Sequence, residues 1–160
     1  MNRSLSLCLA LALLVFAAGC ATTTVSPPPP EHARRAQDSL VQTARSQIGA
    51  PYRYGACDPR SGFDCSGLVQ WCYMQHGKKL PRRTEDLFHA GVPVRKDSLI
   101  PGDLVFFNIS RWRKVLHVGI YSGRGKFIHS PSSGERVREE NLADKYWVRT
   151  YYGARRILLN

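Results

Sequence analysis

Cys65 stands in the run Gly62-Phe63-Asp64-Cys65-Ser66-Gly67-Leu68-Val69-Gln70, and Asp64 before it is a residue type that caps a helix start. A thiol in the first turn of a helix meets unpaired backbone N–H groups and the positive end of the helix dipole, and both favour the thiolate. Two histidines, His117 and His129, follow on what reads as one hairpin. A thiolate nucleophile needs a base, and the base needs a group that orients it. Cys65, His117 and His129 supply all three. An imidazolium beside the sulfur would lower the thiol pKa further and could protonate a leaving amine. The Cys65 N–H is placed to help form an oxyanion hole. This is the outline of nucleophilic attack on an amide.

The elements that must position these residues are of mixed type. Apolar spacing predicts a first helix from Asp38 or Ser39 to Ile48, with Leu40, Val41, Ala44 and Ile48 on one face and Gly49 and Pro51 stopping it. A second helix starts at Cys65, carries Leu68, Val69 and Cys72 on one stripe, and ends at Gly77. A short third runs from Thr84 to His89. Strands are predicted at 103–107, 116–121 and 126–130, with an edge piece around 155–159. Helices first and strands after argue an α+β fold with N-terminal helices packed on an antiparallel sheet.

The turn Ser122-Gly123-Arg124-Gly125 joins two of those strands. Centred near Gly123, it sets His117 directly opposite His129, with Cβ atoms about 4.5–5.5 Å apart. Alternation sends Leu116, Val118, Ile120 and Ile128 to the other face, into a core. The histidines then share their face with Gly119, which leaves room for the second helix to lie across it and present Cys65 to His117.

The front of the chain speaks to location. Arg3, an apolar run from Leu5 to Ala18 and the closing Ala17-Ala18-Gly19-Cys20 read as a lipoprotein signal over residues 1–19, with Cys20 as the lipidated first residue of the mature chain. The apolar run is shorter than the 20 or so residues a bilayer-spanning helix needs. Residues 20–37, with Pro27 to Pro30, read as a stiff tether, and Ala21 after the lipidated cysteine favours an outer membrane, facing the periplasm, in a Gram-negative cell. Residues 38–160 are left as one domain, with enough chain for a core.

The whole chain carries a formal charge of +11, one less once Arg3 leaves with the signal. The basic residues are scattered and no nucleic-acid reader motif accompanies them. Anionic envelope polymers and carboxylate-bearing peptides suit an exported lipoprotein better. Beyond Cys8 and Cys20, the cysteines are Cys57, Cys65 and Cys72. They form no Cys-x-x-Cys, so the spacing spells no metal site, and the chemistry calls for no cofactor. In an oxidising compartment Cys57 and Cys72 either pair, leaving Cys65 free, or remain as two buried thiols.

Gly49-Ala50-Pro51-Tyr52-Arg53-Tyr54-Gly55 and the Cys65 run are followed in order by Leu80-Pro81-Arg82-Arg83-Thr84, Pro101-Gly102-Asp103-Leu104-Val105-Phe106-Phe107, His117-Val118-Gly119-Ile120-Tyr121 and Phe127-Ile128-His129. Over roughly residues 38–158 the chain resembles the NlpC/P60 domains, papain-like cysteine peptidases of bacterial cell walls. The resemblance implies Cys65 as nucleophile, His117 as base and His129 as third polar residue. It implies Tyr52 lining the site, and Asp64 and Ser66 helping to hold the free amine of a short stem peptide. The reaction it implies is hydrolysis of an amide in peptidoglycan stem peptides, either γ-D-glutamyl to diamino acid or a D,D cross-link. Ala56 stands where that family usually has a second Gly. Competing readings are a catalytically silent wall-binding module, and an amidase or acyltransferase using the same thiol. The expected partners are peptidoglycan stem peptides, the membrane through Cys20 and a regulatory or adaptor protein, with the chain itself a monomer.

Overall fold

The computed structural model describes residues 30–159. The lipoprotein signal, Cys20 and the tether as far as residue 29 lie outside them. Helix α1 (Glu31–Arg45) begins well before the expected start and ends before Ile48, which is about half exposed. Its first turns carry no apolar stripe. Glu31 in the first turn suits the helix dipole, and an Arg35–Glu31 pair one turn apart supports it. Leu40, Val41 and Ala44 make the buried face further along.

A two-stranded ribbon of β1 (Cys57–Asp58) and β2 (Gly62–Phe63) leads into α2 (Cys65–Gln75). Helix α3 (Thr84–His89), β3 (Val92–Val94), β4 (Leu104–Asn108), β5 (Leu116–Gly123), β6 (Lys126–His129), β7 (Arg138–Asn141), α4 (Lys145–Thr150) and β8 (Tyr151–Arg156) follow. The six-stranded antiparallel sheet has the order β3-β8-β4-β5-β6-β7. The C-terminal strand is therefore interior, with β3 outside it, rather than an edge. Strand β4 explains why. Leu104, Val105, Phe106 and Phe107 are all fully buried, and a continuous apolar run of this kind needs a covered sheet on both sides.

Those four residues divide the protein into two layers. Leu104 and Phe106 face a core with Leu40, Val41, Leu68, Val69, Tyr73, Val118, Ile120 and Ile128, contributed by the helices and the strands beneath them. Val105 and Phe107 face a smaller cluster with Phe127, Leu142 and Trp147, the last from α4.

The hairpin carries a correction. Arg124 and Gly125, at φ 53° and 72°, form the two-residue turn, closed by the pair Gly123 and Lys126. A bulge between Tyr121 and Gly123 adds one more residue to β5. The pairs Ile120–Ile128 and Tyr121–Phe127 result, so the register differs by two residues from one centred at Gly123. His117 and His129 are diagonal rather than directly opposite. An even shift keeps them on one face.

Candidate active site

Asp64 caps α2 with its side chain on the Gly67 N–H at 2.7 Å, which fixes Cys65 as the first helical residue. Gly67 is required there, because a Cβ would stand 2.1 Å from the Ala56 carbonyl oxygen, where the loop before β1 lies against the helix. Helix α2 packs on the Val118–Ile120–Ile128 face, not across the histidines. Cys65 nonetheless reaches β5. Its sulfur lies 3.7 Å from the Thr84 Oγ1 at the start of α3, and the backbone N–H of Val118, next in sequence to His117, is close enough to favour its charged form.

The histidine face is covered by α4. The Trp147 ring stacks on His117 and meets His129 edge-on. His117 Nε2 and His129 Nδ1 are 2.7 Å apart. The diagonal contact is possible because Gly119 has no side chain. A Cβ there would fall 3.2 Å from the His129 Cβ and 2.6 Å from the Phe127 ring. His129 is fully buried, and among the described residues its Nε2 has no hydrogen-bond partner but faces Glu140 Oε2 at 3.6 Å. Glu140, on β7, also receives the Trp147 indole N–H and pairs with Arg138.

Burial pushes the Cys65 thiol up, against the pull of the Thr84 hydroxyl and the Val118 and Ser66 N–H groups. His117 is driven down to about 3, first by burial and then by its neighbour His129, while Glu140 opposes. Burial also lowers His129, with Glu140 again opposing. The sulfur and imidazole are therefore neutral at rest, where the sequence led us to expect a thiolate beside an imidazolium. Glu140 is held down at about 2, chiefly by His129. An Nε2–H of His129 aimed at Glu140 leaves Nδ1 to accept from His117 Nε2–H. That leaves His117 Nδ1 a free base.

On the other side of Cys65, Asp64 and Ser66 are both engaged by Arg82. The guanidinium reaches Asp64 at 2.9 and 2.6 Å, Ser66 Oγ at 2.7 Å and the Ala56 carbonyl at 3.3 Å. Burial would raise the Asp64 pKa, but the bonds from Arg82, Gly67 and Gly55 outweigh it and hold the carboxyl low. Tyr52 is half-buried near this cluster, its phenol raised first by burial and then by its neighbours Cys65 and Asp64. A cavity of about 430 Å³ opens beside His117, between Pro131, Glu135, Asp144, Tyr146 and Trp147.

Sequence reasoning missed Glu140, Trp147, Thr84 and Arg82. Only Arg82 and Thr84 carried a signal, as part of the Leu80–Thr84 motif. Cys57 is exposed and Cys72 buried, and both are free thiols. Neither the disulfide nor the picture of two buried thiols therefore holds. Among the described residues, no cluster of three His, Cys, Asp or Glu side chains is placed to hold a metal ion.

Residues 49–156 match the NlpC/P60 family. The chain is 43% identical over 126 residues to the murein DD-endopeptidase MepH of Escherichia coli (strain K12), covering 77% of this chain and 45% of that protein. It is 38% identical over 131 residues to the probable endopeptidase YafL of the same organism, covering 80% and 53%. It thus spans about half the length of these two relatives. Among solved structures, an NlpC/P60 family protein from Bacillus cereus superposes with a TM-score of 0.72 at 34% identity, over 82% of this chain and 41% of that one. The NlpC/p60 domain of the peptidoglycan hydrolase SagA superposes with a TM-score of 0.66 at 32% identity, over 76% and 98%.

Proposed function

The chain belongs to the NlpC/P60 family, and from that membership and the site geometry we propose that it is a cysteine peptidase hydrolysing amide bonds in peptidoglycan stem peptides. One observation carries the reading. The Cys65 thiol, at a capped helix start, meets β5 beside a buried histidine whose second nitrogen is 2.7 Å from another histidine. A wall-binding module has no use for such a chain of proton carriers.

Cys65 Sγ attacks the carbonyl carbon as its proton passes to His117 Nδ1. The oxyanion draws on the Cys65 N–H. Collapse breaks the C–N bond, and His117 returns the proton to the leaving amine, giving a thioester. Water, deprotonated by His117, then releases the carboxylate and restores the thiol. Burial that makes His117 neutral at rest keeps it a base. Glu140 and His129 stabilise the imidazolium that forms, in the manner of the third member of other triads. The cavity beside His117 offers room for substrate next to the base.

The location is part of the same proposal. Cys20 carries a lipid anchor that holds the domain to an envelope membrane, the outer one in a Gram-negative cell. Cys20→Ala should leave a soluble or unprocessed chain, and a processed chain still on the membrane would count against the anchor. For the activity, defined muropeptides are incubated with the full-length protein or its Cys65→Ala variant and read by mass spectrometry. Cleavage between γ-D-Glu and the diamino acid marks a stem-trimming enzyme. Dimers converted to monomers with intact stems mark a cross-link cutter. Transfer to an acceptor in place of hydrolysis marks an acyltransferase, and no Cys65-dependent product removes the peptidase reading.

A further inference from the structure

The hairpin that carries His117 runs past the sheet into a closed loop. Beyond the last β4–β5 pair, the Ile109 N–H donates to the Val115 carbonyl at 3.0 Å, and the Val115 N–H donates to Asn108 Oδ1 at 3.0 Å. Residues 110–114 are left as the tip, with Trp112 at its middle and the Trp112 N–H on Ser110 Oγ at 3.4 Å. At 95% exposure, Trp112 is the most exposed large apolar side chain among the described residues. An indole wholly in water adds nothing to the core, whereas Trp is enriched where one molecule binds another.

Position and charge say what it meets. Ile109, at one end of the loop, lines the cavity beside His117. Lys114, at the other, lies over the rings of Phe88 and Tyr152 at 5.3 and 4.9 Å. Phe88 belongs to α3, whose Thr84 touches the Cys65 sulfur. The tip thus stands at the site end of the sheet. Arg111 and Arg113 flank Trp112, both exposed, and among the described residues neither pairs with a carboxylate. A flat apolar ring between two unpaired guanidinium groups suits a ligand with a flat apolar face and acidic groups beside it. A pyranose ring offers a face of C–H groups, and the stem peptides hung from a glycan carry carboxylates.

The reach also fits. Trp112 lies five residues before His117, so at most about 17 Å of chain separates them. In the two bonds considered above, the sugar lies two to four stem residues, about 7–14 Å, from the amide that is cut. A bilayer laid against the same tip would instead close the mouth of the cavity to the polymer. Resting on the peptidoglycan reading above, we propose that Trp112, between Arg111 and Arg113, is a stacking platform for a sugar ring of the glycan strand, holding the polymer while a stem enters the cleft at Cys65.

The full-length protein and its Trp112→Ala variant are compared on two substrates with the same scissile amide, intact peptidoglycan and the glycan-free stem peptide. The variant should lose about tenfold in kcat/KM on peptidoglycan, through KM, with the loss confined to that polymer. Trp112→Tyr should recover most of it. Truncating so exposed a side chain leaves the fold in place. Binding is read separately, by sedimenting Cys65→Ala protein with peptidoglycan, with and without Trp112→Ala, and glycan strands stripped of stems should compete. Equal losses on both substrates would put Trp112 in the peptide cleft, and strands that fail to compete would move the contact to the stems. Either result overturns the platform. Sedimentation unchanged by Trp112→Ala overturns it too, and weakened binding to phosphatidylglycerol vesicles in its place would mark a membrane contact. Absence of Cys65-dependent cleavage overturns the peptidase reading, while sedimentation still decides the platform.

Discussion

Two polar networks flank Cys65, and they differ in completeness. On the Arg82 side every lone pair of Asp64 is filled and its pKa is held low. On the base side His129 Nε2 stands 3.6 Å from Glu140, buried and without a hydrogen-bond partner among the described residues. A saturated network resists change and keeps a loop, a helix start and an arginine in place. A chain that must pass a proton is better left short of saturation, because a fully satisfied imidazole is a poor acceptor. In the proposed mechanism the first network holds shape and the second passes the proton.

The largest expected effect lies between them. Cys65→Ala should lower turnover by at least about 10⁴-fold while leaving the unfolding midpoint nearly unchanged, measured by muropeptide hydrolysis and urea denaturation. Wild-type turnover would end the mechanism. Within the base network, His117→Ala should cost about 10³-fold in kcat and His129→Ala about tenfold less, since only His117 transfers the proton. Equal losses would show that the two rings act as one unit.

The Asp64–Arg82 network should answer in stability instead. Asp64→Ala removes a cap and strands Arg82, and is expected to cost about 2–3 kcal/mol in urea unfolding, after a discount for the exposed part of the guanidinium. A loss confined to rate would erase the contrast between the two networks.

Acid should test the base side. His117 is depressed to about 3 in the folded protein, against 6.5 as its ordinary value, and His129 is lowered as well. The unfolded chain therefore binds more protons in that window. Stability is full above about pH 6.5 and falls as pH drops toward 3, by up to about 1.4 kcal/mol per pH unit for each ring. His117→Gln should flatten that slope. An unchanged slope would mean that His117 does not stay neutral on burial.

The smallest effect concerns Glu140, a positioning residue. Glu140→Gln should lower kcat only a few-fold but move the acid limb of kcat/KM to lower pH, because a negative charge that favours the imidazolium is gone. A loss of rate with the limb unmoved would make Glu140 structural.

Local rules carried the placement of the proposed nucleophile. Asp64, Cys65 and Gly67 lie within one helical turn, so cap, dipole and thiol position could be read from neighbours in sequence. The period of two along a strand likewise put His117 and His129 on one face, a conclusion that survived a two-residue error in register because the error was even. The first turns of α1 were not legible, since charged residues show no apolar period. β7 was not either, because its Arg-Glu-Glu-Asn run carries no apolar alternation.

What the sequence by itself determined was therefore the kind of chemistry, the order of the main elements and the residues that share a face. The tertiary structure alone decided which face α2 covers, that Trp147 closes the other, that Glu140 stands behind His129, and that Arg82 occupies Asp64. Each of these contacts joins residues far apart in the chain, where position depends on how whole layers pack. Nothing in a residue's neighbours records that.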